Sequence, residues 1–177
     1  MAPSAPRALL VLAFESGAAA QEALRELRRL QLDCVVQVHD AVVIEKDAAG
    51  NATTIETVDP EFGPSVVGSC FWGALVGTLV AGPVGTLAGA VTSAGLGALA
   101  TKLIDLGIPD ATVAELEAAT PPGSTALCLL VSDVNDEALA IELARWKGVR
   151  LVRSDLSARA VQRLQDEIAA SEEITRA

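Results

Sequence analysis

FGPSVVGSCFWGALVGTLVAGPVGTLAGAVTSAGLGALAT, Phe62–Thr101, is the stretch on which the reading of this chain turns. It runs 40 residues without a charged side chain and holds nine of the fourteen glycines, with Glu61 and Lys102 closing it on either side. Small residues recur at every fourth position: Ser69, Gly73, Gly77, Ala81, Gly85, Gly89, Ser93 and Gly97. Four residues is close to one helical turn, so these positions form a stripe that rotates slowly around a helix and lets a second backbone come close. Gly82-Pro83 divides the stretch, because proline removes a helical hydrogen bond and clashes with the preceding turn. A helical hairpin is the expectation, with legs Val66–Ala81 and Val84–Ala100. Each leg is about 24 Å long at 1.5 Å per residue, short of the ~30 Å hydrocarbon core of a bilayer. Phe71 and Trp72, near the start of the first leg, suit an interfacial position.

Working outward toward the N-terminus, Ala8–Phe14 is a short, unbroken apolar run and reads as a buried strand. Its seven apolar residues before Glu15 fit a strand better than the hydrophobic region of a leader peptide. Ser16 is placed to cap a helix over Gly17–Leu30, where Ala20, Ala23, Leu24, Leu27 and Leu30 share one face and Glu22, Arg25, Glu26, Arg28 and Arg29 the other. Cys34–Val38 and Ala41–Lys46 are β-branched runs. Asp47–Asn51 with Gly50 is a turn and Thr53–Val58 a returning strand, so 41–58 reads as a hairpin. Asp59-Pro60 and Gly63-Pro64 break the chain before the uncharged stretch.

On the C-terminal side, Gly107-Ile108-Pro109 ends the second leg, and Asp110 is a candidate N-cap for a helix over Ala111–Ala119 with Val113, Leu116 and Ala119 inward. Thr125–Val131 reads as a strand, Asp133–Trp146 as a helix carrying Leu139, Ile141, Leu143 and Trp146, and Val149–Val152 as a short strand. Leu156–Ala170 reads as a last amphipathic helix with Val161, Leu164 and Ile168. The expected fold class is α+β: a ferredoxin-like, split βαβ mixed sheet with extra βα elements, interrupted by the hairpin. Residues 1–61 form the first half (β-α-β-β), 62–106 the hairpin, and 107–177 the second half (α-β-α-β-α).

Charge excludes several function classes. The net charge is −10 and the pI near 4.5. Residues 1–61 carry five Lys/Arg against ten Asp/Glu, and residues 102–177 eight against thirteen, so each flank is acidic and neither hides a basic patch for nucleic acid or anionic lipid. Aromatic residues make up 3% of the chain and tyrosine is absent, which removes stacking platforms for bases or flavins.

Residues that carry chemistry are sparse. His39 is the single histidine, without a nucleophile in a recognisable context. Cys34, Cys70 and Cys128 lie far apart with no metal-ligand spacing and read as buried thiols. Gly95-Leu-Gly97-Ala-Leu-Ala100 matches a relaxed dinucleotide pattern but lies inside a glycine-rich helical run rather than between a strand and a helix start, so it is chance composition. No catalytic, cofactor-binding or metal-binding residue is expected, and the chain reads as a non-enzyme.

Several local patterns together resemble one family: Leu12-Ala-Phe14-Glu leading into Glu22-Ala-Leu24, Asp40-Ala-Val-Val-Ile44-Glu-Lys-Asp47, Phe71-Trp72-Gly73, Leu106-Gly-Ile108-Pro-Asp110, Pro122-Gly-Ser-Thr-Ala126-Leu and Val152-Arg-Ser-Asp-Leu156-Ser. The chain is similar, from about Ala8 to Ile168, to the bacterial family catalogued as domain of unknown function 1269, whose members are described as membrane proteins. It departs from that family in a second leg richer in threonine and serine. The resemblance implies membrane association and transfers no catalytic residue.

Three settings could cover an apolar surface of this size, namely lipid, the core of a soluble oligomer or the interior of the monomer, and a monomer of this size has too little other surface for the last. The expectation is therefore a homo-oligomeric protein of the inner (cytoplasmic) membrane, with the α/β part in the cytoplasm. Its hairpin would meet the bilayer or an apolar partner surface and self-associate through the small-residue stripe. The rival reading is a soluble or peripheral oligomeric scaffold whose hairpins share a hydrophobic core or chamber, serving a redox or stress-response complex.

Overall fold

The computed structural model describes residues 8–55, 75 and 108–162. The elements among them are β1 (Ala8–Phe14), α1 (Gly17–Leu32), β2 (Gln37–Lys46), β3 (Ala52–Ile55), α2 (Asp110–Ala119), β4 (Thr125–Ser132), α3 (Asp136–Leu143) and β5 (Arg150–Asp155), and residues 158–162 are helical. The class is α+β. Its five strands lie in the order β3-β2-β4-β1-β5, and every ladder is antiparallel. This corrects the expected mixed sheet. β1 and β2 run in the same direction, but β4 lies between them and pairs with both, so the parallel pair never forms a ladder.

Every residue of β1 and of β4 is buried. A strand covered on one face alternates apolar with polar, whereas one covered on both faces reads as a continuous apolar run, as ALLVLAF does. The two covers form separate clusters. Leu10, Leu12, Phe14, Leu127 and Leu129 face α1 and α3, meeting Ala20, Leu24, Leu27, Leu30 and Leu139. Leu9, Val11, Val42, Ile44, Cys128 and Leu130 face the other way, onto Val113, Leu116 and Ala119 of α2 together with Ile108 and Leu75.

The helix ends follow local chemistry. Ser16 is the N-cap of α1, its Oγ accepting from Ala19 N–H at 3.3 Å. The five residues expected on the inner face of α1 are the five it buries. The helix stops in a Schellman turn: Val35 N–H donates to Leu30 O and Cys34 N–H to Gln31 O, with Cys34 in the left-handed region at φ 56°. Cys34 is exposed, contrary to the expected buried thiol, because the turn lifts it off the core. Asn135 caps α3 by accepting from Ala138 N–H at 3.1 Å, so that helix begins at Asp136 rather than Asp133. Asn135 N–H also donates to Val35 O at 2.8 Å, which fixes the start of α3 against the end of α1. Arg29 pairs with Glu142 across the same two helices. Ile141, expected among the packing residues of α3, is 57% exposed.

In α2, Asp110 lies in the first turn and Pro109 is the cap residue, without a side-chain cap bond. Proline's fixed φ sets up the helix there, and Asp110 favours the positive helix end through its charge instead. The three residues expected inward, Val113, Leu116 and Ala119, are all buried. The turn Asp47–Asn51 closes the β2–β3 hairpin. Its Asp47 carboxylate accepts from Ala49 N–H, Asn51 N–H and Asn51 Nδ2, and these bonds hold the carboxyl below its ordinary range. Gly50, at φ 87°, supplies the left-handed residue. Residues 56–58 of the expected returning strand lie outside the described residues.

Candidate functional site

Ser69, Gly73, Gly77, Ala81, Gly85, Gly89, Ser93 and Gly97, with Phe71 and Trp72, lie outside the described residues. One member of the uncharged stretch is described: Leu75 is helical, fully buried, and packed in the α2-side cluster with Leu9, Val11, Val42 and Ile108. At this position the apolar side chain is covered by the chain's own sheet. Among the described residues no helix is long and apolar enough to cross a membrane.

His39 occupies a β-bulge. β2 pairs Val38 with Val131 and Asp40 with Leu130, so His39 is the extra residue. The bulge turns it toward the end of β4, where its Nε2 lies 2.9 Å from Ser132 Oγ. Ser132 in turn donates to Asp133 Oδ2 at 2.9 Å. The serine therefore stands between the imidazole and the carboxylate, the reverse of a nucleophilic triad, in which the imidazole links the other two. Ser132 is also 1% exposed, out of reach of a substrate. Burial lowers the His39 pKa, and the charge of Asp133 opposes that shift. Cys128 is no better a nucleophile, since burial pushes its thiol up to about 12.

A second polar group gathers at the far end of the sheet. Lys46 is buried, and its Nζ donates to Thr120 O at 2.9 Å, at the C-terminal end of α2. Burial lowers its pKa, with Glu117 pulling the other way; the Glu117 carboxyl is raised by burial and lowered by Lys46. On the opposite face, a cleft of about 280 Å3 opens at the N-terminus of α1 between Ser16, Gly17, Glu45 and Thr125. Glu45 and Thr125 are direct cross-strand partners there. Their convergence was not legible in the sequence, because positions 17, 45 and 125 meet only once β4 has been placed beside β2.

Among the described residues no group of three His, Cys, Asp or Glu side chains is arranged to hold a metal ion. No curated protein and no solved structure matches the chain. A family model does match: it is described as a protein of unknown function, DUF1269, and it spans residues 66–169, from the uncharged stretch through β5, leaving β1, β2 and β3 outside the match. The match takes in more than half of the chain, which therefore belongs to the DUF1269 family.

Proposed function

We propose that this protein is a non-enzymatic, membrane-associated protein whose α+β body holds the chain at Leu75 and Ile108, on either side of Gly82-Pro83, and whose small-residue stripe joins copies of the chain. The observation that carries this reading is the presence of Leu75 and Ile108 in one apolar cluster on one face of the sheet. The chain between them leaves from and returns to a single face, so the charged flanks stay on one side of any bilayer it meets; we take that side to be the cytoplasm. Only six residues separate Leu75 from Gly82, and as a helix they would reach about 9 Å against a hydrocarbon core of ~30 Å. The reading is thus a hairpin that dips into one leaflet rather than a pair of complete spans. The fold is read as ferredoxin-like: without β3, the order β5-β1-β4-β2 with α1 after β1 and α3 after β4 follows the split βαβ arrangement.

Leu75 is covered by protein rather than lipid, which is compatible with a second reading, a detergent-free oligomer whose stretches share an apolar core as a scaffold. Fractionation of cells expressing the full chain, by carbonate wash and then detergent, separates the two. Membrane association predicts release by detergent alone. A discrete assembly in the soluble fraction identifies the scaffold, and a soluble monomer overturns both readings.

A further inference from the structure

The cleft at the start of α1 has the elements of a ligand site. The first N–H groups of an α-helix have no intrahelical acceptor and carry the positive end of its dipole. In α1, Ser16 serves Ala19 and Ala20, through its hydroxyl and its carbonyl respectively, while Gly17 N–H has no partner among the described residues. A second observation points to the same place. Thr125 lines the cleft and is 4% exposed, and among the described residues its hydroxyl makes no hydrogen bond. Buried hydroxyls are ordinarily paired. Its Oγ1 is directed at α1, lying 3.7 Å from where a Cβ on Gly17 would stand. The same Cβ would run into Glu45 Oε1, so glycine is what allows the acid and the hydroxyl to converge on the helix start.

The charges select the ligand. A free anion such as phosphate would meet the Glu45 and Asp47 carboxylates that line the cleft. A simple amine would leave Gly17 N–H and Thr125 unanswered. Lys46 lines the cleft, but its ammonium is committed to Thr120 O. The remaining pattern is two donors and a carboxylate converging on the start of α1, close enough for the adjacent charges of one zwitterion, in about 280 Å3 lined by serine, glycine, threonine and charged residues.

We propose that this cleft binds the zwitterionic head of a small α-amino acid. The ligand carboxylate is received by Gly17 N–H and the Thr125 hydroxyl, and its ammonium by Glu45. Among the described residues no aliphatic or aromatic residue lines the cleft to receive a larger side chain, so glycine, alanine and serine are the ligands expected.

Calorimetric titration and thermal melting of the full chain with alanine, glycine and serine test this, with propionate and propylamine as analogues of alanine that each lack one charge. The three amino acids are expected to bind and raise the melting temperature, and the two analogues to do neither. Thr125→Val should weaken alanine binding by up to about tenfold, the worth of one neutral hydrogen bond, and Glu45→Gln by about tenfold or more. Glu45 is exposed, so its variant folds even if the Thr125 change perturbs the core. Absence of binding by all three amino acids, propionate binding as tightly as alanine, or unaltered affinity in Glu45→Gln would each overturn the proposal.

Discussion

Lys46 Nζ donates to the carbonyl oxygen of Thr120 at 2.9 Å, tying the end of β2 to the last turn of α2. Both residues are buried. Lys46→Met keeps the apolar stem and removes the donor, leaving a carbonyl at a helix C-terminus without its partner. An unsatisfied buried group costs about 1–3 kcal/mol. Urea unfolding should show a loss in that range, and the Glu117 carboxyl, deprived of the nearby cation, should titrate still higher.

Cys34 holds the left-handed position of the Schellman turn that glycine ordinarily occupies. An L-residue there pays for the crowding of its Cβ against the following carbonyl, on the order of 1 kcal/mol. Cys34→Gly should therefore raise the unfolding free energy by roughly that amount, and Cys34→Val should lower it. Denaturant midpoints of the two variants settle the sign.

The His39 pKa lies below its ordinary 6.5 because of burial, so the unfolded chain binds a proton more readily than the folded one. Stability is then full above pH 6.5 and falls as pH drops through 6.5 toward the depressed folded value. One proton can contribute at most about 1.4 kcal/mol per pH unit. Glu117, with its folded pKa raised above the ordinary 4.5, acts oppositely, adding stability as pH falls toward 4.5. Melting temperatures between neutral and mildly acidic pH should fall for the natural chain, and the fall should be smaller in His39→Gln.

Leu75 is fully buried, while Leu32 is 84% exposed. Leu75→Ala should destabilise the α+β body by about 2–5 kcal/mol, as cavity-forming leucine truncations do. Leu32→Ala should stay within about 0.5 kcal/mol, as surface changes do. Equal midpoints for the two variants would detach the uncharged stretch from the sheet.

Much of the fold was legible because periodicity survives packing. α1 is the clearest case, all five of its expected inner residues being buried. Reading Cys34–Val38 and Ala41–Lys46 as separate runs failed for an instructive reason. Val36 and Val38 face α1, as do Ala41 and Val43, so the alternation slips by one residue at His39. An extra residue in a strand breaks the two-residue period without breaking the strand. Asp110 misled because an acid suits a cap and a first turn equally, and the neighbouring proline decided between them. The cleft was invisible because no local pattern marks a place where three distant segments meet.

The position of β4 has a consequence for synthesis. β1, α1, β2 and β3 leave the ribosome first, but β1 and β2 never pair with each other and are joined into one sheet only when β4 enters between them. Sixty-nine residues, 56–124, must be translated in the interval. At 5–20 residues per second this takes roughly 3–14 s. Throughout that time the apolar faces of β1 lack the strand that will shield their edge, and the uncharged stretch emerges in the same window. The nascent chain thus presents its most adhesive surfaces together and early, so a chaperone or a nearby bilayer would meet it before its sheet can close.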